Sequence, residues 1–314
     1  MAFRDFLLLF AVCLVWGLNI VLSRWIIADV GVPPLFFAAV RFAGVALLLL
    51  PFLRPKPADL KMLFIIALLI GSVNFALLFM GLQNAEASAA AVTGQLGVPI
   101  STLMSMAFLG ETIGWRRGLG IMLAFAGVVL IAVDPGSFGV SVGLLYIVAS
   151  AFIGSAGGIL MKRMKPVSGL QLQAWVGLFS FLPLFLISYL FESNQIGTYL
   201  GAGLFESNQV ERYMAGGWPV ILASLFAIVG VSIFGHAAFY TLIKKYDVSL
   251  LSPLTLMTPI WGVIFGIVLL NEPITARLVL GSVISLTGVF VIAVRQNSRM
   301  PEAAFGKKLG TGGS

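Results

Sequence analysis

Leu109-Gly110-Glu111, followed by Arg116, Gly120, Gly127 and Ile131-Ala132-Val133, returns 161 residues later. The second spelling is Leu270-Asn271-Glu272, Arg277, Gly281, Gly288 and Ile292-Ala293-Val294. Between 105–133 and 266–294, 11 of 29 aligned positions are identical without a gap. Shared hydrophobicity alone does not account for that agreement. The chain is therefore read as two copies of one unit.

Composition places both copies in a membrane. The chain is 60% hydrophobic and 10% charged, with a mean hydropathy of +1.06, which excludes an ordinary soluble domain of 314 residues. Apolar runs of about 20 residues recur along it, the length a helix needs to cross a bilayer. Cys13 is the one cysteine, so neither an internal disulfide nor a Cys-rich metal site is available, and it reads as a small buried hydrophobe.

Ten helices are expected: Phe6–Ala28, Pro34–Leu53, Leu60–Leu82, Ala87–Leu109, Trp115–Val133, Val140–Leu160, Leu170–Phe191, Trp218–Ile243, Val248–Leu270 and Ala276–Val294. Pro33-Pro34 suits a helix start, where a missing N–H costs nothing. Asp134-Pro135-Gly136 is a turn. The first apolar run is long for a signal peptide and is read as a retained span. The domains are then 5–134 and 139–295, with a loop insertion at 192–217 and a flexible tail at 296–314. The insertion repeats Leu-Phe-Glu-Ser-Asn-Gln at 190–195 and 204–209.

Lysine and arginine test this layout. With the N-terminus in the cytoplasm, the inner segments carry Arg4; Arg54, Lys56, Lys61; Arg116, Arg117; Lys162, Arg163, Lys165; Lys244, Lys245; and Arg295, Arg299, Lys307, Lys308, which is 15. The outer segments carry 2, Arg212 and Arg277, while Arg24 and Arg41 fall inside helices. The net charge of +7 thus follows the positive-inside rule rather than a nucleic-acid surface. Both termini are expected in the cytoplasm. Five helices per copy make the second copy enter from the opposite side, so the repeats are inverted. Two similar units of opposite orientation have two nearly equivalent packings, a common arrangement in secondary transporters.

Trp16-Gly17-Leu18-Asn19 with Arg24, Pro34 then Arg41, Pro99 then Leu109-Gly110-Glu111, and Gly120 and Gly127 carry a resemblance to a known family. The chain resembles the EamA domain of the drug/metabolite transporter superfamily, present twice over about residues 5–295. Within it, the chain is similar to bacterial inner-membrane exporters of aromatic amino acids. The resemblance implies an all-α polytopic membrane protein, with ten transmembrane helices as two inverted five-helix repeats around a central cavity. It also implies efflux of amino acids or related metabolites. The second copy departs from the pattern, with Phe152 and Ser155 where Trp and Asn would stand.

Polar and aromatic residues near mid-span are the substrate-binding candidates. Arg41 is deep enough that its charge should face protein or water; it reads as a partner for a substrate carboxylate or as a structural group bonded to backbone carbonyls. Asn19, Asn74 and Gln95 are mid-helix amides, able to bind a zwitterion or to join helices. His236 is the only histidine, and a shift of 162 sets it opposite Asn74. It is a structural group or the one span residue that titrates near neutral pH. Trp16, Phe75, Trp175, Tyr240 and Trp261 suit stacking around an amphipathic solute, and equally ordinary packing.

Pro99, Pro253 and Pro259 should bend helices four and nine. Ala87–Ala91, Gly154/Gly158 and Gly262/Gly266 allow close helix contact. Glu111 and Glu272 read as anchors for the helix N-terminus that follows each, with Arg116 and Arg277 as possible partners. All 12 acids fall in loops or at helix ends, so no mid-membrane carboxylate is available for proton coupling. Transport is expected to be facilitated or weakly coupled.

No nucleotide-binding motif, metal cluster or catalytic constellation is present in the sequence, so neither a cofactor nor an enzyme activity is expected. The leading expectation is a monomeric secondary transporter in the bacterial inner membrane, exporting aromatic and other neutral amino acids and related metabolites by alternating access. Its partners are a small molecule and the lipid bilayer, with no nucleic acid. A carrier of drugs, nucleotide sugars or sugar phosphates is the alternative, and a gated channel a further one.

Overall fold

A computed structural model of the chain describes residues 1–110, 112–134, 139–161, 163–164, 167–196, 217–246 and 248–294. Among these residues, eight helices are long and apolar enough to cross a membrane. They are α1 (Phe3–Asp29), α3 (Leu60–Gln83), α4 (Ala87–Phe108), α5 (Trp115–Ala132), α6 (Val142–Met161), α7 (Gly169–Ser193), α8 (Gly217–Phe239) and α10 (Ala276–Val294). Two further apolar helices are shorter: α2 (Pro34–Leu48) and the second half of α9 (Met257–Leu270). The first half of α9 is Val248–Leu254. The chain is thus a multi-pass, helical membrane protein; a two-residue ladder, Val133 opposite Val140 and Asp134 opposite Gly139, joins α5 to α6.

Several ends differ from the sequence reading for identifiable reasons. α2 stops at Leu48 because Pro51 cannot donate to a helix; Leu50–Leu53 continues as a 3-10 turn. α6 begins at Val142 rather than Val140 because Val140 is taken by the ladder. α9 is two pieces instead of one, broken at residues 255–256. α7 continues through Glu192 to Ile196, so the loop expected at 192–217 begins later and the first copy of its duplication is helical; the turn at 135–138, residues 197–216, Glu111 and the tail lie outside the described residues.

The echoed stretch ends and packs its helices alike. α4 closes on Gly110 at φ 67°, with the Gly110 N–H returning to Ser105 O. α9 closes on Asn271 at φ 53°, with its N–H returning to Gly266 O. Both are left-handed positions that favour glycine or asparagine, which explains Leu-Gly-Glu and Leu-Asn-Glu. The following helices, α5 and α10, then lie against each other antiparallel. A methyl added at Gly120 would come within 2.8 Å of Gly288 O, and one at Gly288 within 2.5 Å of Gly120 O. One turn-pair away, a methyl at Gly281 would lie 2.6 Å from Gly127 O. Four glycines therefore let the two backbones touch.

The other helix pairs follow the same arrangement. α2 packs on α7 and α4 on α9; α1 contacts α8 and α9, as α6 contacts α3 and α4. Small residues carry the α4–α9 contact, with Gly262 against Ala91 and Gly266 against Ser88. Gly154 packs on Asn74, whereas Gly158 faces open space. Irregular turns recur at the repeat spacing as well. α3 widens into a π segment at Leu68–Val73 and α8 at Phe226–Gly235, so Asn74 and His236 each restart the regular helix. α4 tightens into a 3-10 turn at Gly94–Leu96, and α9 breaks at 255–256, 161 residues on.

Candidate functional site

The wide turns of α8 prepare a polar cluster inside the bundle. In a π segment the backbone bonds run to the carbonyl five residues back, and two side chains of α8 reach carbonyls at that same spacing. Ser232 Oγ donates to Ala227 O at 3.0 Å, and His236 Nδ1 lies 3.0 Å from Val231 O. A carbonyl oxygen only accepts, so Nδ1 carries the imidazole proton.

Arg41 of α2 reaches this segment. It is 2% exposed. Its Nε and Nη2 donate to Ser232 Oγ at 3.3 and 3.2 Å, and its Nη1 donates to Asn19 Oδ1 of α1 at 3.3 Å. Its guanidinium lies 5.0 Å from the centre of the Phe75 ring of α3. Among the described residues no carboxylate pairs with it; the ion pairs formed there join Arg24 to Asp29 and Lys245 to Asp5. Trp16, three residues before Asn19, stands 5.4 Å from the His236 ring and 5.2 Å from Phe239. Trp16 Nε1 is buried without a hydrogen-bond partner among the described residues.

Five sequence candidates thus meet in one cluster: Trp16, Asn19, Arg41, Phe75 and His236. Ser232 was missed, because a serine within an apolar run carries no local signal. The backbone-carbonyl role considered for Arg41 is not what the geometry gives, since its partners are side-chain oxygens. Other candidates sit elsewhere. Asn74 binds Ser150 of α6 through its Nδ2, at 2.7 Å to the carbonyl and 3.0 Å to the hydroxyl, so it joins helices. Trp175 packs in the main apolar core, 5.1 Å from Phe179. Trp261 stacks on Phe265 and meets Phe10 edge-on, each ring centre 5.5 Å away. Gln95 lies half-buried in the 3-10 turn of α4, beside the exposed Gly94. The Tyr240 side chain is outside the described residues.

The prolines flank the breaks rather than bend continuous helices. Pro99 and Pro259 each sit in the first turn after a break, where no helical N–H is lost, and Pro253 just before one.

Acidic residues at the helix ends do a different job from the one expected. Glu272 accepts from Ala87 N at 2.5 Å and Ser88 N at 2.9 Å. It therefore caps α4, in the other half of the chain, and not α10 that follows it; its extended hairpin brings it beside the α4 terminus and its dipole. Arg277 donates to Val133 O at 3.0 Å. Glu192 of α7 does for α2 what Glu272 does for α4. It accepts from Leu35 N and Phe36 N, both at 2.9 Å, and from Ser188 Oγ at 2.7 Å. Burial and the nearby Glu272 push the Glu86 carboxyl above the usual carboxylate range, with Arg24 opposing. The Lys245 ammonium is raised by its bond to Asp5.

Two cavities open on other surfaces. One, of about 470 Å³, is an apolar crevice between α1, α8 and α9 lined by Leu22, Trp25, Ala223 and Leu270. The other, of about 480 Å³, holds Glu86, Ser141, Thr275 and Arg277. Neither is lined by the residues around Arg41.

A bundle of apolar helices encloses this buried polar cluster, and sequence comparison names the class. The EamA-like transporter family matches residues 4–133 and again 141–294, so the chain belongs to that family. A "Probable amino-acid metabolite efflux pump" of Escherichia coli (strain K12) is 26% identical over 298 residues, covering 93% of this chain and 95% of that protein. A protein of the same description from Salmonella typhimurium is also 26% identical, covering 96% and 99%. A solved structure at 20% identity covers 93% of this chain and 96% of its own with a TM-score of 0.57, which shows a shared fold.

Proposed function

We propose that the chain exports amino acids and related small metabolites across a bacterial inner membrane by alternating access, with the Arg41 cluster as the substrate site. The observation that carries this reading is the buried Arg41 guanidinium, held by two neutral oxygens and an aromatic face with no carboxylate partner among the described residues. A charge in the middle of a membrane bundle is costly unless something pairs with it. A substrate carboxylate supplies that pair. Aromatic rings at Trp16, Phe75 and Phe239 give the same place affinity for an apolar side chain.

In this reading ten helices span the membrane as two inverted five-helix repeats, 5–134 and 139–295, with both termini in the cytoplasm. The matching breaks in α4 and α9, the matching π segments in α3 and α8, and the antiparallel α5–α10 pair support it. The breaks and their prolines serve as hinges, so that one half of each helix moves while the other stays packed. The protein works as a monomer. Transport is facilitated or weakly coupled, because the acids within the described spans, Asp5, Asp29 and Glu192, lie at span ends and are already engaged. The names of the bacterial relatives support amino-acid metabolites as cargo.

Counterflow in proteoliposomes tests the reading. Vesicles loaded with unlabelled amino acid should take up the labelled one faster than empty vesicles, across a panel including threonine, methionine and the aromatic residues. Losing a charge-assisted hydrogen bond costs about 1.5–3 kcal/mol, so Arg41→Gln should weaken apparent affinity about 10- to 150-fold. Equal uptake by loaded and empty vesicles would indicate a channel. Unchanged affinity in a well-folded Arg41→Gln protein would remove the cluster from the substrate path.

A further inference from the structure

We propose that the Arg41 site reads the carboxylate of its cargo and not the amine, so that the chain also carries 2-oxo and 2-hydroxy monocarboxylates of amino-acid size. This rests on the reading that the Arg41 cluster is the substrate site.

The cluster has donors to spare and few acceptors. A guanidinium has five N–H donors. Three are used, by Nε and Nη2 toward Ser232 and by Nη1 toward Asn19. One N–H therefore remains on Nη1 and one on Nη2, two donors for the oxygens of a carboxylate. The bonds already made, at 3.2–3.3 Å, are longer than the usual 2.9–3.0 Å and are easily rearranged. Trp16 Nε1 adds a buried donor without an acceptor on the same side of α1 as Asn19.

An ammonium finds the opposite situation. Asn19 Oδ1 already accepts from Arg41, Ser232 Oγ accepts from it twice, and the Phe75 face is covered by the guanidinium. Each acid whose contacts the structure gives is engaged at a helix end: Asp5 with Lys245 and Tyr246, Asp29 with Arg24, Asp59 with Met62 N, Glu192 with α2 and Glu272 with α4. An amine placed beside Arg41 meets a like charge and must keep its own water. A 2-oxo group brings an acceptor to the surplus donors instead. Removing the amine therefore loses no charged partner, and at most a bond to His236 Nε2 or a contact with the Trp16 ring.

The two cargoes differ in net charge, which gives a second readout. A zwitterion crosses as a neutral species. A 2-oxo acid crosses with one negative charge, and its outward accumulation ratio should rise about fifty-fold per 100 mV of inside-negative potential.

The experiment uses the wild-type chain in proteoliposomes showing amino-acid counterflow. Unlabelled phenylpyruvate, phenyllactate, phenylalanine and phenylethylamine compete against the labelled amino acid; a valinomycin-set potassium potential is then applied to labelled phenylpyruvate and phenylalanine. The expected result is competition by both acids lacking an amine within tenfold of phenylalanine, none by phenylethylamine, and a potential-dependent flux of phenylpyruvate alone. Competition by phenylethylamine without competition by phenylpyruvate would overturn the inference while amino-acid export stands. Absence of counterflow with every amino acid and oxo acid tested would overturn both.

Discussion

Gly288→Ala probes the contact on which α5 and α10 depend. The new methyl would lie 2.5 Å from both Ala124 N and Gly120 O, where ordinary van der Waals contact begins at 3.4 Å. The backbones must therefore part by about 0.9 Å at that point, because both obstacles are helix backbone and not a side chain that can turn away. Overpacking of this kind costs about 1–3 kcal/mol. Ala is also the better helix former by about 1 kcal/mol, which offsets part of the loss. The net expectation is a destabilisation of about 0–2 kcal/mol, read as an unfolding midpoint in detergent below that of the control. Gly158→Ala is the internal control: nothing lies within 4 Å of its added methyl, so its midpoint should hold or rise. Apparent substrate affinity should be unchanged in both, since neither position touches the Arg41 cluster. A Gly288→Ala midpoint equal to that of Gly158→Ala would refute the close-contact reasoning.

Other perturbations address the acids. Glu192→Gln leaves the first amides of α2 facing a side chain with one acceptor oxygen instead of two; a loss of about 2–3 kcal/mol in the same unfolding assay is expected, and no loss would show the cap to be dispensable. For Glu86, whose folded-state pKa is raised, the protonated carboxyl is the form the fold prefers. Its contribution is most favourable below the unfolded value and declines as pH rises through the folded one. Glu86→Gln should therefore raise the unfolding midpoint at pH 7.5 and give no advantage near pH 4. A gain that is equal at both pH values would contradict this sign.

Much of the helix layout was legible because a bilayer demands long apolar runs, and those are local features of the sequence. The Leu-Gly-Glu and Leu-Asn-Glu spellings were visible too, and their meaning is local: Gly110 and Asn271 hold left-handed backbone at helix ends. The partners of Glu272 and Glu192 were not legible. Each acid caps a helix more than 150 residues away in sequence, and no spacing rule connects Glu272 to Ala87 or Glu192 to Leu35. The cluster was half visible for the same reason. Arg41 and His236 stand out as rare residue types among apolar ones, whereas Ser232 gains its role from the wide turns of α8, which apolar sequence does not announce. Asn74 and Trp175 looked equally suitable and were drawn instead into helix contacts and core.

The glycine strip on α5 also sets a timetable. Its partner begins at Ala276, and 276 minus 132 leaves 144 residues to be synthesised after α5 ends at Ala132. At about 5–20 residues per second, the strip waits about 7–29 s before synthesis of α10 begins. During that interval a backbone-deep groove faces lipid with nothing seated in it. Helix α10 is the one that closes this face of the first half, so a chain halted before Ala276 carries the strip uncovered. Emergence of α10 from the ribosome thus becomes the step that ends its exposure to other nascent helices.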